Sequence, residues 1–329
     1  MVSRRDFGAF VACACILAHR DVRAQQTGKV YRIGYLYPET AQDPGRAFPA
    51  LQQALFDLGY SVDRNIKFEE RFADGKLEQL PRLAAELVAM KVDVIVAVAP
   101  SAIRAARNAT STIPIVMAFS GEDPVKSGFV ASLARPGGNV TGMTSLPNEL
   151  APKWVELFQD AVPGIKRIAV LGSALRPDHK EQVDIMQAAA ESRRIQLHVV
   201  KVRDSEEYRA AFEDMTRQSA QGVIILLGPE FAQNLAQLAE LAARHRLPSL
   251  WQFREFVVVG GLLSYGPNIA DLSARAAVFV DKILKGANPA DLPVQQPTKS
   301  VLAINARTAQ SLGLTIPRLL LQRADEVVQ

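Results

Sequence analysis

Short apolar runs rich in β-branched residues alternate along this chain with segments whose apolar residues recur at helical spacing. That alternation restricts the chain to an α/β architecture built from parallel sheets. The first run is Tyr31 to Tyr37, and the helix after it places Phe48, Leu51, Leu55 and Leu58 on one face before stopping at Gly59. Strands at Asn65–Phe72, Asp93–Ala99 and Ile115–Phe119 follow, with helices at Leu77–Met90 and Ser101–Ala109 between them. Their apolar content is continuous, as strands covered on both faces require. A second series begins after Gly142 with helix Lys153–Ala161, strand Ile168–Leu171, helix Lys180–Ser192 and strand Leu197–Val202. Helix Glu206–Gln218, strand Val223–Leu227 and helix Phe231–His245 continue it. Two successive sheets are therefore expected, and 329 residues suffice for two cores at the usual ~150 residues per domain.

Several function classes are excluded by what the series lack. Neither contains G-x-G-x-x-G, G-x-x-x-x-G-K-[ST] or G-x-S-x-G, so nucleotide cradles and the hydrolase elbow have no sequence sign. The four histidines, His19, His179, His198 and His245, show no metal-ligand spacing. No nucleophile stands beside a general base, so an enzyme is not expected, and neither is a cofactor or a metal. The formal charge is only +4 and no run of five basic residues concentrates it, which argues against nucleic acid as a partner.

The N-terminus reads as a cleaved leader. Arg4-Arg5 supply a positive start, Phe7 to Ala18 form a 12-residue apolar stretch, and Val22-Arg23-Ala24 is a small-x-small cleavage site that leaves Gln25 first. Twelve residues fall short of the ~20 needed to span a membrane, so the expected product is a soluble periplasmic protein. Ser3-Arg4-Arg5-Asp6-Phe7 also fits the start of a twin-arginine signal, and a general secretory signal containing two arginines fits equally. Cleavage removes four positive and two negative residues, leaving a mature charge of +2, and removes Cys13 and Cys15, the only cysteines.

Ile113-Pro114-Ile115-Val116, Asp123-Pro124-Val125, Val130–Gly142, Gly261–Asn268, Val280–Gly286 and Ala290–Thr298 together resemble a bacterial ABC-transporter substrate-binding family. The resemblance implies a type I periplasmic-binding-protein fold, with two Rossmann-like lobes joined by three crossing segments and a ligand between them. It also implies a monomer that delivers a small molecule to an ABC permease in the inner membrane, and some relatives bind tryptophan or other aromatic amino acids. Mapped onto this chain, lobe one takes residues 29–145 and 268–296, and lobe two takes 146–267 and 297–329. A receptor of the same shape that reports to a membrane sensor is the alternative. A transcription regulator on this fold would carry an N-terminal DNA-binding helix pair where this chain has its leader.

In open parallel sheets, ligands bind beyond the carboxyl ends of the strands. Those positions are Tyr37-Pro38-Glu39, Pro100-Ser101 and Ser120 to Asp123 in the first series, then Gly172-Ser173, Gly228 to Glu230 and Trp251 to Phe253 in the second, with Tyr265 at a crossing segment. From them we single out Tyr37, Ser101, Ser120, Ser173, Glu230, Phe253 and Tyr265 as candidate ligand contacts. The set suits an amphiphilic molecule with an acid, an amine and an apolar body, such as an amino acid or aromatic acid. Ser101 is expected to open a helix and, with Ser120, to hold a carboxylate there, a simple helix cap being its alternative role. Asp123 before Pro124 reads as a cap on a following helix. Glu39, Glu230 and Glu255 would meet a cation or stand solvated in surface loops. Tyr37, Phe253 and Tyr265 would stack on a ring or pack the lobes together.

Overall fold

The computed structural model describes residues 29–41, 47–176 and 178–329, so the leader lies outside the described residues. The first half runs β1 (Tyr31–Tyr37), α1 (Ala47–Asp57), β2 (Ile66–Phe72), α2 (Leu80–Ala89), β3 (Val94–Val98), α3 (Ala99–Ala109), β4 (Ile115–Phe119) and β5 (Val140–Gly142). Its five strands form one parallel sheet in the order β2-β1-β3-β4-β5. Every residue of β3 and β4 is buried, which is why these strands read as unbroken apolar runs.

The second half continues α4 (Pro147–Ala161), β6 (Arg167–Ser173), α5 (Asp178–Ser192), β7 (Gln196–Val202), α6 (Tyr208–Arg217), β8 (Val223–Ile225), α7 (Pro229–Ala232), α8 (Leu235–Arg244), β9 (Ser249–Trp251), α9 (Arg254–Val258) and β10 (Leu263–Gly266). The chain then leaves this sheet for α10 (Ile269–Leu284), which lies on the first lobe against α1, β3 and β4. It returns as β11 (Val301–Asn305), α11 (Ala306–Ser311), α12 (Arg318–Arg323) and β12 (Glu326–Val328). The second sheet has the order β12-β11-β10-β9-β8-β6-β7.

All its pairings are parallel except β10 with β11. The connectivity explains that exception. The chain exits at the carboxyl end of β10 and re-enters the lobe at the same end, so β11 must run backwards. Chain crosses between the lobes after β5, between β10 and α10, and before β11. Two crossing segments pair with each other, Met143 bridging Gln295 while Thr144 N donates to Gln295 O at 2.9 Å. Two α/β lobes with type I periplasmic-binding-protein topology are thus on display, with the cleft at the carboxyl ends of both sheets.

The structure corrects two expected elements. Phe231–His245 is not one helix, because the chain breaks at Gln233-Asn234 between α7 and α8. Asp123 caps no helix. Its Oδ1 accepts from Val125 N at 2.9 Å and Lys126 N at 3.2 Å, closing a turn instead.

Candidate functional site

A cavity of about 430 Å³ lies between the lobes. Tyr37, Pro38, Glu39, Asp74, Ala99, Pro100, Phe119 and Ile269 line it from the first lobe, and Arg176, Leu227, Gln233, Trp251, Phe253 and Glu255 from the second. Four aromatic side chains, Tyr37, Phe119, Trp251 and Phe253, stand among its lining residues. Phe119 at the end of β4 meets Phe253 after β9, with ring centroids 5.4 Å apart and planes at 79°, and Trp251 stands edge-on to Phe253 at 5.2 Å and 88°. Such edge-to-face contacts fix ring orientation beyond what burial alone contributes. Tyr37 belongs to a second cluster with Tyr35 and Phe72.

The backbone is shaped to open this space. The β3–β4 register shifts between Ala97 and Val98, and Ala99 takes φ +71°, a left-handed value rare for a residue with a Cβ and worth ~1–3 kcal/mol of strain. The chain turns there directly into α3, whose first residues Ala99 and Pro100 reach the cleft. Pro100 fits this first turn because its missing N–H would have found no helical partner.

Charge is arranged across the gap as well as within it. Glu122 of the first lobe lies 3.4 Å from Arg176 of the second and 3.0 Å from Arg104, and it accepts from Ser127 Oγ at 2.8 Å. Lys126 reaches Glu181 of α5 at 2.6 and 2.7 Å. Gly121 approaches Leu227 so closely that a Cβ there would lie 2.4 Å from Leu227 Cδ2. Gln233, at the break between α7 and α8, donates to Gly75 O at 3.5 Å. These contacts hold the two lobes against each other.

Of the residues singled out from sequence, the structure brings Tyr37 and Phe253 together at the cleft. Ser120 is fully buried, its hydroxyl donates to Glu122 O at 3.0 Å within its own turn, and it does not line the cavity. Ser173 is likewise buried. Its Oγ accepts from Leu175 N at 3.1 Å, and its backbone N donates to His179 Nδ1 at 2.9 Å. Tyr265 packs into the second lobe's core, where its carbonyl accepts from Trp154 Nε1 at 2.7 Å, and it does not line the cavity. The parity of β10 decides this, since neighbouring strand residues face opposite sides of a sheet. Glu230 follows Pro229 in α7, but its side chain lies outside the described residues. Glu39 and Glu255 line the cleft.

Ser101 sits in the first turn of α3 and caps nothing, because Val98 is the N-cap residue and no side-chain cap bond forms. Its Oγ is buried without a partner. Phe119, Asp74, Arg176, Gln233 and Ile269 escaped the sequence reading. The apolar run ends the strand at Phe119 and points to Ser120 for the cleft, whereas Phe119 lines the cavity and Ser120 is buried in its turn. Arg176 follows β6, which runs to Ser173 and so carries its loop further than a strand ending at Leu171 would.

A family model described as ABC transporter substrate binding protein matches residues 46–328. The chain belongs to this family. A tyrosine-binding protein of Clostridioides difficile is 27% identical over 265 residues, covering 80% of this chain and 75% of the relative. An ABC domain from Streptococcus pneumoniae, solved in complex with L-Trp, superposes with a TM-score of 0.83 at 28% identity, covering 91% of this chain and all of that one. A conserved domain protein from Vibrio cholerae superposes equally well at 26% identity, with the same coverage of both chains. Family members of this kind bind solutes outside the cytoplasmic membrane, and no helix among the described residues is long and apolar enough to cross one.

Proposed function

We propose that this chain is the periplasmic receptor of an ABC importer, and that it closes on an aromatic amino acid or a similar small molecule and passes it unaltered to an inner-membrane permease. The observation that carries the reading is the interlobe cavity walled by Tyr37, Phe119, Trp251 and Phe253. At about 430 Å³ it falls within the ~300–1,000 Å³ typical of small-molecule sites. The aromatic side chains suit a flat apolar body by stacking, and the carboxylates among the lining residues, Glu39, Asp74 and Glu255, suit an ammonium group. The L-Trp complex and the tyrosine-binding relative support the same ligand class. Tyr37 and Phe253 would hold the ring, and Ser101, beside Pro100, would contribute its unpartnered hydroxyl.

Export follows from the leader, and the mature protein would begin at Gln25. A thermal-shift panel of L-Trp, L-Tyr, L-Phe and benzoate tests the ligand class. A ligand at 100 times its dissociation constant adds ~2.7 kcal/mol of stability, which such a panel resolves. Recovering the bound ligand chemically changed would overturn the receptor reading in favour of an enzyme. Protein recovered from the periplasm with Met1 intact would overturn leader cleavage.

A further inference from the structure

The chain has two tryptophans, and their indole N–H groups are treated differently. Trp154, buried in α4, donates its N–H to Tyr265 O at 2.7 Å. Trp251 is 3% exposed at the end of β9, and its Nε1 is shielded from solvent without an acceptor. Folded proteins pair nearly all buried donors, so an orphaned one needs a reason. Trp251 lines the interlobe cavity. Its ring is packed edge-on against Phe253 at 88° and Phe256 at 68°. An indole nitrogen can only donate, so whatever completes it must be an acceptor.

We propose that Trp251 is a specificity-determining residue whose Nε1–H is completed by an oxygen atom of the bound ligand. This rests on the reading of the cleft given above and narrows it. The ligand must carry an oxygen acceptor, a carboxylate or a hydroxyl, placed against the wall formed by the second lobe. An aromatic hydrocarbon body alone leaves the donor stranded in the closed protein and is rejected for that reason, since a site built around a hydrogen bond discriminates against analogues lacking it.

Calorimetry on the full mature chain and its Trp251→Phe variant, with L-tyrosine, L-phenylalanine and tyramine as probes, tests the proposal. Phenylalanine keeps a packed ring and removes only the donor and part of the area, and melting without ligand confirms that the variant folds. The expected result is a loss of about tenfold or more in L-tyrosine affinity. If the phenol oxygen is the acceptor, wild type prefers L-tyrosine over L-phenylalanine and the variant loses that preference. If the carboxylate is the acceptor, both amino acids weaken together and tyramine binding is unchanged.

A second measurement needs no variant. In ¹⁵N-labelled wild type the two indole signals are resolvable, and L-tyrosine should move that of Trp251 downfield while leaving that of Trp154 in place. An unmoved Trp251 signal, together with wild-type affinity of the variant for all three probes, overturns the proposal alone. It would show the N–H spent on a neighbouring ring face. Failure of wild type to bind any probe overturns the aromatic-amino-acid reading and this proposal with it.

Discussion

The hydroxyl of Ser101 is buried and makes no hydrogen bond, although it sits in the first turn of a helix where serine commonly caps. A capping serine replaced by alanine costs ~0.5–2 kcal/mol, whereas removing an unsatisfied buried hydroxyl relieves a desolvation penalty. Ser101→Ala should therefore melt at or above the wild-type temperature, and any loss of ligand affinity then reports direct contact. A melting temperature lowered by several degrees would restore the cap. Ser120 and Ser173 show why residue type at a strand end is a weak guide to a site. Both have the chemistry to bind a ligand and both use it to close their own turns.

At the scale of elements, α10 belongs to the stretch after His245 that apolar periodicity leaves unplaced, and it sets the chain between two crossing segments onto the first lobe. It packs along α1, and Tyr60, just beyond α1, donates its hydroxyl to Asp281 of α10 at 3.0 Å. Burial, reinforced by the Asp281 carboxylate, pushes the Tyr60 phenol up to about 12 from its usual 10.0. A group whose pKa is raised on folding stabilises the protein below its unfolded pKa and loses that contribution as pH rises through the folded one. The contribution of Tyr60 should thus be intact at neutral pH and vanish between about pH 10 and 12. Lys285, paired with Asp281 at 2.7 Å, faces the same carboxylate, so the informative quantity is a difference. Denaturant melts of wild type and Tyr60→Phe across that window should converge as pH rises. A gap that stays constant would show that the bond is not linked to ionisation.

For the whole molecule, the decisive contacts are those between lobes. Gly121 and Leu227 meet so tightly that Gly121→Ala must displace Leu227, itself part of the cavity wall, or hold the lobes apart. Overpacking of this kind costs ~1–3 kcal/mol, so small-angle scattering should show a more open variant whose ligand affinity falls by about tenfold or more. Trimming the partner in a Gly121→Ala, Leu227→Ala double variant should restore closure, and failure of that rescue would mean the glycine serves its own loop. The division between what the chain spells out and what folding decides follows from range. Alternating apolar runs and strand-end turns are local, so the two α/β sheets, the bounds of β1 and β4, and the placement of Tyr37 and Phe253 beside the cleft were readable from sequence. Side-chain parity at the ends of β4 and β10, the break at Gln233-Asn234, the reversed β11 and the Arg176–Glu122 pair depend on packing between segments far apart in the chain. Nothing in their immediate neighbours encodes them, because the sheet a strand joins, the route by which the chain re-enters a lobe and the residues facing it across the cleft are all set by distant segments.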